Sequence, residues 1–227
     1  AEQSGDPEVR ARMEQYELAW RMQSSVPDVA DLNKEPAHVL EDYGVTPGEA
    51  SFGANCLLAR RLVESGVRWV QLFDWGWDLH GTSTGDDLVD TFPKKCLSVD
   101  RPIAALVRDL HRRGLLEDTL VVWGGEFGRT PMNEARFGST RLGRDHHADC
   151  FSMWFAGAGI RGGEVYGATD ELGYSIARDP VSMRDLQATM LWSLGIDPYS
   201  TSVRHLGLNR RLIGPTNEGR IMHHWFA

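Results

Sequence analysis

The chain has 227 residues, 41% hydrophobic and 25% charged, with a formal net charge of −8 and a pI near 5.5. That is enough apolar material for a soluble domain with its own core, and the acidic balance disfavours a nucleic-acid partner, which needs a basic stripe. No apolar run approaches the roughly 18 residues of a membrane span, and three scattered cysteines, Cys56, Cys96 and Cys150, fit buried free thiols or at most one disulfide.

From Pro7 to about Ser24, apolar Val9, Met13, Tyr16, Leu18, Ala19 and Met22 recur roughly at helical spacing, which predicts a surface helix with Asp6 as cap before Pro at the first helical position. Residues 25–47 hold Pro27, Pro36 and Pro47 and read as a loop with at most a short helix. GEASFGANCLLARRLVESG is a helix ending at Gly66, and VRWVQLF, residues 67–73, has the β-branched and aromatic content of a buried strand. After the polar loop DWGWDLHGTSTGDD, a helix is expected from about Ser98 to Arg113, stopped by Gly114. TLVVWGG and FSMWFAG are two further strands. A Gly-rich turn with a short hairpin fills 158–178, SMRDLQATMLWSLGI is the last long helix, and 197–227 reads as an irregular tail.

This order predicts an α/β fold, with a mostly parallel central sheet and helices on both faces, in a single domain over 1–227 whose first 47 residues are a helix and loop. Ligands of such sheets bind at the carboxyl ends of the strands. Two of the three expected strands end at clusters of ionisable residues. Asp74, Asp78 and His80 follow VRWVQLF; carboxylate and imidazole together suit zinc or manganese, whereas oxygen alone favours magnesium or calcium. The reading that competes is an Asx turn beside an exposed histidine. Trp75 and Trp77 flank this cluster as core, cavity lining or a sugar platform.

Glu126 follows two glycines that let the backbone turn sharply, and Arg129 offers a planar fork for phosphate, sulfate or carboxylate oxygens; the plain alternative is a loop salt bridge between the two. In GRDHHAD, adjacent His146 and His147 cannot point the same way in an extended segment, so one is free to bind a metal while the other meets a carboxylate or substrate. Asp145 and Asp149 are available to orient them, and Arg144 is a second cation for developing negative charge. No GxSxG motif marks a serine nucleophile.

GGEFGRTP, then GRDHH, preceded by GWDLHG and NCLLARRLVESGVRWVQL, closely resembles the bacterial family called domain of unknown function 1501. The resemblance extends from ELAWRMQSSVPDV to TDELGYSIARDPVSMRDLQATMLWSLGID. Through that family the chain is similar to the alkaline phosphatase and sulfatase superfamily, which implies an α/β sandwich with one or two divalent ions. Carried over, Asp78 and His80 stand for a first ligand pair, Glu126 for the acidic member of a second, and His146 or His147 for the last histidine. Phe127 follows Glu126 where the superfamily has an imidazole, so one ion or an altered geometry is as compatible as two. The family also implies a twin-arginine signal and an N-terminal half with the nucleophile strand, so this chain matches a C-terminal half, and export to a periplasmic or extracellular setting is expected.

The function implied is metal-dependent hydrolysis of sulfate or phosphate esters, small or polysaccharide. Asp78, His80, Glu126, His146 and His147 would hold zinc, manganese, calcium or magnesium; Arg129, Arg144 and Glu126 would act on the ester; and Trp75, Trp77 and Asp145 would contact substrate. The competing expectation is a noncatalytic exported module that binds a polysaccharide or a partner through its tryptophan-rich loop.

Overall fold

The computed structural model describes residues 7–133, 137–215 and 219–227. The Asp6 cap lies outside the described residues, as do the side chains of Leu18 and Met22 in the expected apolar stripe. The chain divides into two compact units, one formed by 1–75 and 95–112 and the other by 76–94 and 113–227.

In the first unit, α1 (Pro7–Ala30) runs past its expected end and includes Pro27. Residues 25–47 are far more helical than their prolines suggest. Leu32–Lys34 is a 3-10 turn capped by the Asp31 side chain, and α2 (Ala37–Tyr43) starts after Pro36 and stops at Gly44, whose φ is 66°. A proline ahead of the first turn loses no helical hydrogen bond, so Pro36 starts a helix instead of breaking one. Helix α3 (Phe52–Glu64) forms as expected, with the Ser51 hydroxyl accepting from the N–H of Ala54. Helix α4 (Thr91–Arg112) begins seven residues before the expected Ser98 and carries Pro102 inside.

The core of this unit joins Val39, Tyr43 and Val45 to Cys56 and Leu57 of α3 and to Ala105 of α4. Burial pushes the Cys56 thiol up to about 12, so it packs as an inert thiol. Arg60, 1% exposed, is surrounded by three carboxylates: Glu35 at 2.7 Å, Glu64 at 2.5 Å and Asp109 at 3.0 Å. The three cysteines are free, with Cys56 and Cys150 buried.

In the second unit the described strands form four two-stranded sheets, all antiparallel. Strand β1 (Val121–Gly124) pairs with β4 (Met153–Ala156), Val121 opposite Ala156 and Gly124 opposite Met153. Between them the chain makes β2 (Gly128–Asn133) and β3 (Arg144–His147), which pair with each other. The expected hairpin is β5 (Ala168–Thr169) with β6 (Ile176–Arg178). Helix α5 (Met183–Ser193) follows, and the tail carries a second hairpin, β7 (Ser202–His205) with β8 (Leu208–Arg211).

The mostly parallel central sheet with helices on both faces is therefore corrected, and with it the sulfatase and alkaline phosphatase-like architecture. Parallel pairing needs a crossover, usually a helix, between partner strands. The connection from β1 to β4 is instead an antiparallel hairpin, so β4 returns antiparallel. The first expected strand, residues 67–73, is not a strand among the described residues, which removes the strand–helix–strand unit on which the parallel reading depended. Among the described residues no helix is long and apolar enough to cross a membrane.

Helix α5 is fixed at its start by a capping box. The Ser182 hydroxyl accepts from the Asp185 N–H, while the Asp185 carboxylate accepts from the Ser182 N–H at 2.9 Å. The same carboxylate takes the backbone N–H of Arg220 at 2.7 Å and its guanidinium at 3.3 Å, which ties the C-terminal segment to the helix. Burial raises the Asp185 carboxyl, but Arg220 and the Ser182 donors outweigh it and hold the group down to about 2 from an ordinary 3.8. This stabilisation is complete above the unfolded carboxylate value and fades as pH falls toward 2. Asp185→Ala is expected to cost about 1–3 kcal/mol in urea unfolding at neutral pH. The stability difference from the unaltered protein should shrink between about pH 4 and pH 2; a difference that stays constant over that range contradicts the assignment.

Candidate metal centre

The β2–β3 ladder places the site's residues by alternation. Arg129 lies opposite His146 and Gly128 opposite His147. Cross-strand partners share a face and adjacent residues take opposite faces, so Arg129 and His146 point one way and His147 the other. The His147 Nε2 accordingly meets the carbonyl oxygen of Tyr174 at 2.5 Å, while the His146 Nε2 meets Asp78 Oδ1 at 2.7 Å.

Asp78 and His80 come from the loop after Trp77, and that loop is held by backbone as well as by side chains. The Arg144 N–H donates to the Leu79 carbonyl at 3.2 Å, and the Leu88 N–H to the Leu142 carbonyl at 2.9 Å. Gly81, at φ +74°, and Gly143 cross so closely that a Cβ on Gly143 would lie 1.8 Å from the His80 carbonyl carbon. Asp86 closes the turn, accepting from the N–H of His80 at 2.6 Å and of Thr82 at 3.0 Å. Asp87, 1% exposed, accepts from the N–H groups of Val89 and Asp90 and from Arg141. The Asp90 and Val89 donors and Arg141 hold its carboxyl below the usual range.

These supports bring three donors onto one atom. Asp78 Oδ1 is 2.9 Å from His80 Nε2, 2.7 Å from His146 Nε2 and 2.9 Å from Arg129 Nη2. The hydrogen bond from His146, with those from Arg129 and His80, keeps the Asp78 carboxyl well below the usual carboxylate range. The two imidazoles are tilted against each other with centroids 4.8 Å apart, and the Phe127 edge meets His146 at 4.7 Å. Ligand atoms of Asp78, His80 and His146 lie within 4.8 Å of one another. One carboxylate oxygen and two imidazole nitrogens of this spacing could hold a metal ion, and the mixed donor set suits a borderline transition metal.

The other expected residues are placed as follows. Glu126 is linked through Arg129, whose Nη2 donates to Glu126 Oε1 at 2.7 Å. Arg144 donates to the Thr130 carbonyl at 3.1 Å, and the Asp145 carboxylate accepts from the His146 N–H at 2.8 Å. Trp77 packs edge-on against Phe92 at 6.0 Å. Trp75 is 84% exposed and belongs to the first unit, as does Asp74, which pairs with Lys95 at 2.7 Å. Asp86, Asp87 and Arg141, which fix the loop, went unread in the sequence. The signal available was GTSTGDD directly after His80, a run of turn formers ending in two carboxylates.

The pattern of the family described as "Protein of unknown function (DUF1501)" matches residues 1–226. No curated protein and no solved structure matches the chain.

Because an added Cβ at Gly143 meets backbone atoms that cannot swing aside, Gly143→Ala should destabilise the protein by about 3 kcal/mol in urea unfolding. Gly162→Ala, where an added Cβ meets nothing within 4 Å, should change stability by less than about 0.5 kcal/mol. Equal effects of the two substitutions contradict the crossing.

Proposed function

The chain belongs to the DUF1501 family, and from that premise we propose that it is a divalent-metal-dependent hydrolase of phosphate or sulfate esters, with Asp78, His80 and His146 as the metal-holding group. Membership carries no activity with it. The observation that carries the reading is the convergence of His80 and His146 on Asp78 Oδ1 with the Arg129 guanidinium beside them. Zinc or manganese is the ion the donor set favours, in an exported setting, and one ion suffices for the three donors. When bound, such an ion supplies Lewis-acid polarisation of an ester oxygen.

The protein's own groups would do the rest. Arg129 donates to the ester's anionic oxygens, a fork for which Arg is better suited than Lys. Glu126, half exposed, orients Arg129 through its 2.7 Å contact. Asp145 steadies the backbone of His146, and the Tyr174 carbonyl keeps the His147 ring on the opposite face.

A second reading, a noncatalytic polysaccharide-binding module, is favoured by one specific feature. Trp69, Phe73 and Trp75 are 59%, 66% and 84% exposed, and they alternate with the partly buried Val70 and Leu72. Three exposed aromatic side chains within seven residues offer sugar rings a stacking surface.

Chelation should lower the melting temperature, and zinc or manganese at about 100 times its dissociation constant should raise it by about 5 °C or more. His146→Ala should remove that response. Metal-dependent turnover of 4-nitrophenyl phosphate or sulfate, lost in His146→Ala, supports the hydrolase. Melting indifferent to both chelator and metal sinks it, and retention on a sulfated polysaccharide without turnover, lost in a Trp75→Ala variant, selects the module.

A further inference from the structure

Arg129 stands where the negative charge of the site is concentrated. Its Nη2 contacts Asp78 Oδ1 at 2.9 Å and Glu126 Oε1 at 2.7 Å, and Asp78 Oδ1 is the atom to which both imidazoles point. The carboxylate oxygen that a metal ion would use is therefore already engaged by a cation. The guanidinium side chain is only 21% exposed. Its other terminal nitrogen, Nη1, is buried and has no hydrogen-bond partner among the described residues. One side of the fork is saturated by carboxylates while the other is idle, although its planar geometry suits two oxygens of one anion.

We propose that Arg129 is the resident cation of this site, competing with a divalent ion for Asp78, and that its displaced guanidinium becomes the anchor for a tetrahedral oxyanion. The inference rests on the reading of Asp78, His80 and His146 as the metal-holding group. Losing Asp78 leaves Arg129 tethered to Glu126 with donors to spare. An oxyanion restores the lost partners, and removing the arginine from Asp78 opens that carboxylate to a cation. Cation and oxyanion then raise each other's affinity by the same factor, as linkage requires.

The test uses manganese(II) as the cation, titrated into the full chain while the electron paramagnetic resonance signal of the free ion is followed, with and without sulfate. In the unaltered protein, sulfate should tighten manganese binding by about tenfold. Arg129→Gln should bind manganese without sulfate at least as tightly as the unaltered protein, and its sulfate effect should fall below about twofold. Weaker manganese binding by Arg129→Gln in the absence of sulfate overturns the competition, since it makes the arginine a mere support for Asp78. An undiminished sulfate effect in the variant overturns the oxyanion anchor. In either case the metal site itself stands. The unaltered protein alone also decides, because manganese binding there that is indifferent to sulfate overturns the proposal whether or not the variant folds. Failure of both proteins to bind manganese overturns the metal site and this inference together.

Discussion

Where Gly81 and Gly143 cross, neither residue has room for a side chain: a Cβ on Gly143 would sit 1.8 Å from the His80 carbonyl carbon, and one on Gly81 2.6 Å from the Gly143 nitrogen. The geometry of the site depends on this approach. It brings the loop that carries Asp78 and His80 to the start of β3, within backbone hydrogen-bonding distance at Arg144 and Leu79. Two residues further along the strand, His146 then meets Asp78 without any long side chain having to search for its partner. Precision of this kind comes from backbone contact, because a side-chain hydrogen bond alone leaves rotamer freedom to be lost at every visit. Asp86 and Asp87 serve the same end from within the loop, accepting from four backbone N–H groups that would otherwise be unpaired.

Two of the arginines with several carboxylate partners show how similar chemistry is put to different use. Arg60 is 1% exposed and lies among Glu35, Glu64 and Asp109, all of them within the first unit. A charge so deeply desolvated is held only by complete pairing, and removing any partner leaves the others uncompensated. Its role is to fix α3 and α4 around the core. Arg129 has carboxylate partners that are half to two-thirds exposed, so an exchange of partners there is screened by water and far less costly. The same residue type is therefore a fixed strut in one unit and an exchangeable cation in the other, and burial of the arginine side chain itself, 2% exposed at Arg60 against 21% at Arg129, is what separates the two.

Legibility in the sequence follows the range of the interaction that decides each element. Helices α3 and α5 are legible because apolar periodicity, and for α3 the stop at Gly66, are local signals, to which the structure adds the Ser51 and Ser182 caps. The opposite facing of His146 and His147 was readable because alternation is a property of one strand. VRWVQLF misled because β-branched and aromatic content states only that a segment would suit a sheet; a strand also needs a partner, which composition does not supply. Its alternation of exposed Trp69 and Phe73 with half-buried Val70 and Leu72 is strand-like in spacing even so. Residues 25–47 mislead in the other direction, because three prolines suggest a loop although the place of Pro36 ahead of α2 makes it a start signal.

The expected ligand residues Asp78, His80 and His146 lie together although the architecture used to group them did not form. The expectation placed two clusters at the carboxyl ends of strands and GRDHHAD just before another, all on one edge of a parallel sheet where separate loops share a crevice. In the structure the grouping arises from an antiparallel hairpin, whose two strands carry Arg129 and His146 as direct partners, and from the glycine crossing that seats the preceding loop against it. What the sequence encoded locally was therefore a set of polar groups bracketed by glycines, of which Gly81, Gly128 and Gly143 mark close backbone approaches. That information survives a wrong fold because close approach concerns pairs of short segments and is silent about the sheet beyond them. The site is accordingly a property of two short stretches of the second unit, the loop that follows Trp77 and the segment that runs from Glu126 to His147, and its chemistry is argued from those contacts alone.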